Sequence, residues 1–345
     1  FDGKIWVFKA DATVLDGFPV SLVSPKSDKP SRIMATPTVA DLNGDGIPEI
    51  ISGTNQLIGK EGTAGPVFVV DGRGNNAPSA YLPNWPTTIS SIKLFPVVGE
   101  GVVASQAVAD FDEDGQPDIL IQGNGSVPVV LKIDPGPQVA TEEPPNRLPM
   151  VTREDGSEQK GLDPGNMFGE RSKAYAPDVM FPLFSQPSIG DLDQDGVPDV
   201  IASGGSLSLA GGLAGAGTRA ERGQHLLAAW SGKTGKMLPG SPMVLEDYTF
   251  LVNHAIADVS GDEYPEIITG TGGYFLHAFD GCGREAPGFP KFTNGWIAAA
   301  AAVGDIDGDP QKSLEVVVGT RDGWLFAWKT AGTANGPVQW ESFHH

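Results

Sequence analysis

The sequence has little cysteine, few basic residues and no long apolar run, and each shortage excludes a class of protein. Cys282 is the only cysteine among 345 residues, so no internal disulfide can form. Lysine and arginine total 23 against 43 acidic residues, which gives a formal net charge of -20. We expect no nucleic-acid partner, because phosphates require a basic face. We also expect no membrane span, because no apolar run reaches the ~18 residues typical of one.

Glycine, proline and a repeated acidic loop are what the sequence has in quantity. There are 46 glycines and 29 prolines. Acid-rich stretches recur along the chain, at "DLNGDGIPEI" (41–50), "DFDEDGQPDI" (110–119), "DLDQDGVPDV" (191–200), "DVSGDEYPEI" (258–267) and, in a longer form, "DIDGDPQKSLEV" (305–316). An apolar segment precedes each loop, and a β-rich run such as "VIASG" follows it. Such self-similarity is typical of repeat architectures.

Each repeat continues with another β-rich run that ends in a turn, and then with a proline-marked segment. Short runs of branched and aromatic residues bounded by Gly, Pro, Asp and Asn predict antiparallel strands. Four such strands in each repeat are typical of a propeller blade. We therefore predict an all-β fold, a β-propeller of four-stranded antiparallel blades, in one domain that covers residues 1–345.

The repeat count is five, with an additional half repeat at the N-terminus. The segment "GKIWVFKADATVLDGFPVSL" (3–22) matches the second half of a repeat and has no acidic loop before it. The fifth repeat has its own late strands in "GWLFAWKTAGTANGPVQW". A closed ring would have six or seven blades, and we expect the chain to be a fragment of a longer protein or to close as an incomplete sixth blade.

Two insertions interrupt the repeats. Residues 134–182 are proline-rich and polar, and residues 204–224 are rich in glycine and alanine. Long loops inside a compact domain are usually either functional or disordered. Both interpretations stay open at this point, as flexible surface loops or as surfaces for a partner.

The acidic loops have the chemistry of a site for a hard cation. Calcium takes six to eight oxygen ligands in a flexible cage, whereas magnesium prefers strict octahedral geometry with several waters. Acids at loop positions 1, 3, 5 and 9 and the carbonyl at position 7 can surround one ion, and glycine at position 6 permits the sharp turn. Without a cation, these carboxylates would repel one another.

We expect three to five calcium ions. Binding should be weaker in the fourth loop, where Glu263 replaces the glycine, and in the fifth, where Pro310 replaces it and two residues are inserted. The expected ligands are Asp41, Asn43, Asp45, Ile47, Glu49, Asp110, Asp112, Asp114, Gln116, Asp118, Asp191, Asp193, Asp195, Val197, Asp199, Asp258, Ser260, Asp262, Tyr264, Glu266, Asp305, Asp307, Asp309 and Glu315.

This D-x-D-x-D-G-x-P-D loop, repeated between β-rich runs, resembles the FG-GAP repeat (also called VCBS-like) of integrin-alpha-type β-propellers. The resemblance covers nearly the whole chain outside the two insertions. It implies a propeller in which each loop binds calcium between strands of a blade, and a role in adhesion or assembly. We therefore expect a calcium-stabilised module, extracellular, on the cell surface or periplasmic, that binds a protein or glycan partner in a larger assembly.

The alternative is a propeller enzyme. The segment "AAWSGKTGKMLPG" resembles a blade motif of quinoprotein dehydrogenases, and a carbohydrate lyase is also conceivable on this fold. Quinoproteins commonly have paired cysteines beside the quinone, whereas this chain has only Cys282. We expect no enzyme and no catalytic residues. His225, His254 and His277 should be packed or hydrogen-bonded, and Trp85, Trp296 and Trp340 should pack within blades rather than contact a partner.

Overall fold

The structure is a computed structural model, and it divides into two compact units, Phe1–Leu148 and Pro149–His345. The residues that it describes are 2–25, 30–55, 65–89, 101–124, 128–137, 151–152, 158–159, 180–181, 185–206, 209, 224–249 and 253–340. Most of the two insertions, 134–182 and 204–224, lies outside these ranges, so their predicted roles stay predictions.

The first unit has nine strands and one short 3-10 helix, Gly74–Asn76, in its described residues. The strands are β1 (Lys4–Ile5), β2 (Val20–Ser21), β3 (Arg32–Ile33), β4 (Thr38–Ala40), β5 (Glu49–Asn55), β6 (Val67–Val70), β7 (Ala107–Ala109), β8 (Asp118–Ile121) and β9 (Val129–Leu131). They form three antiparallel sheets: the pair β1-β2, the sheet β3-β5-β4 with β6 also on β5, and the sheet β7-β8-β9.

The second unit has fifteen strands in its described residues. They are β10 (Val151–Thr152), β11 (Glu158–Gln159), β12 (Met180–Phe181), β13 (Ser188–Gly190), β14 (Asp199–Ser206), β15 (His225–Trp230), β16 (Met243–Leu245), β17 (Ala255–Ala257), β18 (Glu266–Gly270), β19 (Phe275–Phe279), β20 (Lys291–Phe292), β21 (Ala302–Gly304), β22 (Ser313–Gly319), β23 (Leu325–Thr333) and β24 (Val338–Trp340). The sheets are β10-β11, β12-β14-β15-β16 with β13 on β14, β20-β19-β18-β17-β24, and β21-β22-β23.

These sheets confirm the prediction of an all-β, antiparallel fold. The branched residues that predicted strands are the ones buried in them, as in β8 and β14, where the side chains pack on both faces. The arrangement of the sheets as propeller blades and the blade number stay predictions. In the described part of the chain, no helix is long and apolar enough to cross a membrane.

Each acidic loop closes a hairpin at the same register. The residue before loop position 1 pairs with the acid at position 9 in the first four repeats and, in the fifth, with Glu315, which takes the place of position 9 after the two inserted residues and is counted as position 9 below. The pairs are Ala40 with Glu49, Ala109 with Asp118, Gly190 with Asp199, Ala257 with Glu266, and Gly304 with Glu315. The hairpin therefore fixes where the acid at position 9 enters the sheet, and the other loop acids are arranged around it.

Sheets of consecutive repeats share cores within each unit. Ile268 and Leu276 of the fourth repeat belong to one buried cluster with Val316 of the fifth. In the first unit, the half repeat contributes Ile5 to a cluster with Phe68 of the first repeat. Burial of branched and aromatic side chains between the sheets is the main stabilising contribution in such a stack.

The last strand does not join the sheet of its own repeat, which corrects the prediction that the fifth repeat has all of its own late strands. β24 pairs with β17 of the fourth repeat, at Ile256 opposite Trp340. The sheet of the fifth repeat consequently has three strands, β21-β22-β23, among the described residues. The pairing buries Trp340 to 5% exposure, and the Gln339 side-chain oxygen accepts a hydrogen bond from the Asp191 amide at 2.6 Å. A three-residue strand thus gains both a buried aromatic and a polar contact with the third repeat.

Candidate metal centres

The backbone of every acidic loop is left-handed at position 4. The φ angles are 72° at Gly44, 57° at Glu113, 57° at Gln194, 81° at Gly261 and 65° at Gly308. Position 6 is also left-handed in the first four loops, and Glu263 adopts a φ of 75° where the others have glycine. The glycine at position 6 was predicted, whereas position 4 was missed, because Glu113 and Gln194 give no signal for this conformation.

The aspartate at position 1 accepts hydrogen bonds from amides of its own loop. In the third loop, Asp191 Oδ1 accepts from the Asp195 amide at 3.0 Å, and Oδ2 accepts from the Gly196 amide at 3.0 Å. The first, second and fourth loops repeat this two-oxygen pattern, and the fifth shows one of the two bonds. The left-handed residues turn these amides inward, so the loop curls around its first carboxylate.

The acid at position 9 is buried in all five loops and is oriented by the amide of position 2. These acids are at most 5% exposed. The donor and acceptor pairs are Leu42 to Glu49 at 2.9 Å, Phe111 to Asp118 at 3.0 Å, Leu192 to Asp199 at 2.8 Å, Val259 to Glu266 at 2.8 Å, and Ile306 to Glu315 at 3.0 Å. The backbone of the loop thus holds one oxygen of each of these carboxylates in place.

Burial raises the pKa of the position 9 carboxylate in the first four loops. It raises the pKa of Asp199 to about 7 and the pKa of Asp118 to about 6. Burial also raises the pKa of Glu49 and that of Glu266. Neighbouring loop acids add to the effect, as Asp193 does for Asp199. A cation placed among the carboxylates would keep them ionised, because an opposite charge favours the charged form.

Four of the five loops bring three carboxylates together. In each group, one oxygen from every member lies within 4.8 Å of the others. The groups are Asp110, Asp112 and Asp118; Asp191, Asp193 and Asp199; Asp258, Asp262 and Glu266; and Asp305, Asp307 and Glu315. Such oxygen-only donor sets suit hard cations. These loops could therefore hold a metal ion.

Some predicted ligands do not belong to these groups. In the first loop, the Asn43 side chain donates a hydrogen bond to Glu49 at 2.9 Å through its nitrogen and accepts one from the Asp45 amide at 2.8 Å through its oxygen. Asp114, Asp195 and Asp309, at position 5, are also outside the groups. Each of these three aspartates accepts a hydrogen bond from a backbone amide further along its loop.

A basic side chain lies near four of the loops, and the sequence reasoning missed this feature. Lys132 contacts Asp112, Asp114 and Asp118 of the second loop. Lys329 contacts Asp307 and Asp309 of the fifth. Arg73 and Lys233 each approach the position 5 aspartate of the first and third loops. In the sequence, each of these basic residues lies at or just after the third strand of its repeat, and this shared position could have revealed them.

The histidines and two of the three tryptophans behave as expected. His254 is fully buried and hydrogen-bonded to the Thr269 hydroxyl at 3.0 Å. His277 lies between Glu246 and Glu285, at 2.9 Å from each. His225 packs edge-on against Tyr248.

Trp85 and Trp340 are buried, which confirms that they pack inside the fold. Trp296 is half-buried beneath Arg321. The more exposed tryptophans are Trp6 and Trp324, at 45% and 66%, and the sequence did not single them out.

Comparisons with known proteins find solved structures that are similar to this chain, but they assign it to no family. No family model matches the chain, and no curated protein matches it. Among solved structures, BBS1N in complex with ARL6DN, soaked with lead, has a TM-score of 0.44 at 10% identity, over 94% of this chain and 74% of that one. The quinohemoprotein alcohol dehydrogenase from Comamonas testosteroni has a TM-score of 0.44 at 11% identity, over 84% of this chain. The match spans 47% of that enzyme. The V. cholerae biofilm matrix protein Bap1 has a TM-score of 0.40 at 10% identity, over 99% of this chain and 78% of that one.

Proposed function

We propose that this chain is a calcium-stabilised β-propeller module of the FG-GAP type that works outside the cytoplasm and binds a protein or glycan partner. The observation that carries the proposal is the fivefold recurrence of one device. In each repeat, a buried acid at position 9 is oriented by the amide of position 2, and the acids of positions 1 and 3 or 5 approach it in four loops. An isolated acidic turn would not need this construction five times.

Calcium is the cation that the donor set favours. The ligand atoms are oxygens from carboxylates spread along a flexible loop, which suits six to eight ligands better than a strict octahedron. Extracellular fluid has millimolar calcium, which fills even weak sites of the extracellular class, whereas cytosolic calcium would leave such sites empty. Sites of this kind therefore favour a location outside the cytoplasm.

The role of the ions in this proposal is structural. Each ion joins the end of one strand to the start of the next, since positions 1 and 9 flank the hairpin turn. The partner-binding surface is then formed by loops that the ions hold in place. The 134–182 insertion is a candidate for that surface on the basis of its sequence alone.

The proposal is tested by metal analysis of the purified chain together with thermal melts with and without EGTA. We expect calcium to copurify and EGTA to lower the melting temperature. Asp193→Ala, which removes one acid of the third loop, should lower the calcium content by one ion. Asp11→Ala removes an exposed aspartate outside the loops and should not change it. Absence of calcium together with an unchanged melting temperature in EGTA would contradict the proposal.

Partner binding is tested separately on a glycan array and against purified extracellular proteins. We expect binding in calcium that is lost in EGTA. Turnover of a quinone-dependent substrate by the purified chain would favour the enzyme alternative instead.

A further inference from the structure

The residue opposite the acid at position 9 differs in charge between repeats. The register of β22 and β23 pairs Glu315 with Lys329. One residue beyond the pair Ile119 and Leu131, Lys132 stands opposite Asp118. In the other three repeats, the residue opposite the position 9 acid carries no positive charge. These residues are Asp71 opposite Glu49, Ser231 opposite Asp199, and Asp280 opposite Glu266.

In the second loop, the ammonium group of Lys132 lies among the carboxylates. Its Nζ is 2.5 Å from Asp112 Oδ2, 2.7 Å from Asp114 Oδ2 and 3.8 Å from Asp118 Oδ1. Two of these aspartates, Asp112 and Asp118, belong to the group that could hold a metal ion. The positive charge of the ammonium group therefore lies beside the same carboxylates that would bind a metal ion.

The fifth loop has the same arrangement. Lys329 Nζ is hydrogen-bonded to Asp309 and lies 3.4 Å from Asp307 Oδ2. Asp307 is a member of the metal-binding group of this loop. Since Lys329 faces Glu315 across the two strands, both lysines approach their loops from the same side.

Basic residues near the other loops are held elsewhere or remain at the edge. The Arg73 guanidinium is bound to Asp71 at 2.7 and 2.8 Å and lies 3.3 Å from Asp45. Arg284 is bound to Asp280 at 2.8 Å. The Lys233 Nζ donates to the backbone carbonyl of Asp195 at 3.4 Å and lies 3.9 Å from Asp195 Oδ2, beyond hydrogen-bond distance of that carboxylate.

Two buried carboxylate oxygens distinguish the second and fifth loops from the first and third. Asp118 Oδ1 and Glu315 Oε1 are buried and have no hydrogen-bond partner among the described residues. The corresponding oxygen of Glu49 accepts a bond from Asn43, and that of Asp199 accepts one from the Gly232 amide at 3.2 Å. An unpaired buried carboxylate oxygen is costly unless a positive charge lies close by. Lys132 Nζ lies 3.8 Å from Asp118 Oδ1, and Lys329 is the residue paired with Glu315 across the two strands.

We propose that Lys132 and Lys329 are internal counter-ions that weaken divalent-cation binding in the second and fifth loops. The first, third and fourth loops then take the calcium ions. This inference rests on the proposed function, because it concerns which loops bind the ion. A divalent cation can enter the second or fifth loop only if the ammonium leaves the carboxylates, since the two positive charges would repel each other at this distance. The residue opposite position 9 thus sets the calcium stoichiometry.

The test is a count of calcium ions per folded chain, by native mass spectrometry at a fixed free calcium concentration. We expect three ions in the wild-type chain and four in Lys132→Met or Lys329→Met. The double variant should hold five. Lys233→Met is the matched control, since that lysine stays at the edge of its loop, and it should leave the count at three. Methionine retains most of the side-chain length without the charge, and circular dichroism checks that each variant is folded.

A reverse variant tests the same rule in a loop that lacks the lysine. Ser231→Lys places an ammonium opposite Asp199 and should reduce the count from three to two. A wild-type count of five, or lysine variants that are folded and keep the wild-type count, would overturn the inference while leaving calcium binding intact. A wild-type chain that binds no calcium would instead overturn the proposed function. The two failures are therefore distinguishable.

Discussion

Gly196, at position 6 of the third acidic loop, has a left-handed backbone. Its φ is 93°, and an added Cβ would meet no atom within 4 Å. Any cost of a side chain at this position therefore comes from the backbone conformation and not from a clash. Glu263 occupies the corresponding position of the fourth loop with a φ of 75°, so this residue is strained because it has a side chain in the left-handed region.

We predict that Gly196→Ala lowers the free energy of unfolding by about 1 to 2 kcal/mol. Gly304→Ala is the matched control, since its added Cβ also meets no atom within 4 Å, but its φ is not in the left-handed region. Urea denaturation in excess calcium measures both. Equal effects of the two substitutions would show that backbone strain is not the cause.

His277 is the residue whose charge contributes most clearly to stability. Burial lowers its pKa, but the hydrogen bonds to Glu246 and Glu285 outweigh this effect and raise the pKa to about 9. Glu246 also accepts a hydrogen bond from the Thr271 hydroxyl, so the segment after β16 is joined to β19 through this group. The imidazolium thus connects the third repeat to the fourth.

We predict that the stabilisation from His277 is present below pH 6.5 and is lost as the pH rises through about 9. The sign follows because a folded-state pKa above the unfolded value means that the folded chain binds the proton more tightly. His277→Gln should cost up to about 3 kcal/mol near pH 6 and little above pH 9. Urea denaturation of both chains across this range measures the difference.

The control for this prediction is His225→Gln, because burial lowers the pKa of His225 instead. That substitution should not reproduce the loss of stability that fades with rising pH. A cost of His277→Gln that is independent of pH would mean that packing against Phe279, stacked on the ring at 5.3 Å, is the main contribution.

At the scale of elements, β24 is the least expected strand. It is three residues long and pairs with β17 across a register shift at Ile256 and Ala257. Its stability must come from burial and not from the ladder alone, because short strands gain few hydrogen bonds. Trp340 supplies that burial at 5% exposure.

We predict that Trp340→Ala lowers the free energy of unfolding by about 3 to 5 kcal/mol, the usual cost of truncating a buried aromatic. Trp324→Ala is the control, because Trp324 is 66% exposed and should change stability by about 0.5 kcal/mol or less. Chemical denaturation of both variants measures the effects. A cost of Trp340→Ala as small as that of the control would show that β24 does not stabilise the unit.

The hairpins around the acidic loops were predictable as elements, whereas β24 was not. Alternating turn residues and branched runs mark β13, the third loop and β14 directly in the sequence. The late segment "VQW" has the composition of a strand, but nothing in its sequence indicates which strand it pairs with. Pairing with β17 is a long-range choice that depends on which sheet edge is open in the folded unit.

At the scale of the whole molecule, the acidic loops account for much of the formal charge of -20. Self-repulsion of such charge opposes the compact state. Calcium bound only by the folded chain would counter it and add about 2.7 kcal/mol per site at a hundred times the dissociation constant.

We predict that unfolding becomes harder in proportion to the logarithm of the calcium concentration. Three filled sites would add about 8 kcal/mol at that excess. Magnesium at the same ionic strength should add much less, because it retains its waters, and sodium should give only a screening effect. Thermal and chemical melts across a calcium series measure the slope. Equal slopes for calcium and magnesium would argue against calcium-selective loops.

The sequence by itself determined the β class, the five acidic loops and the acids that face the turn, because these are local properties of spacing and composition. The sequence alone shows the carboxylate at position 9, which follows a proline, and the glycine at position 6. Only the tertiary structure decided that the position 9 acid is buried, that Lys132 and Lys329 contact the acids of the second and fifth loops, and that β24 crosses to the fourth repeat. Burial depends on how the sheets pack, and the lysine contacts and the pairing of β24 depend on residues far apart in the chain that the sheets bring together. Neither pattern nor composition records that proximity.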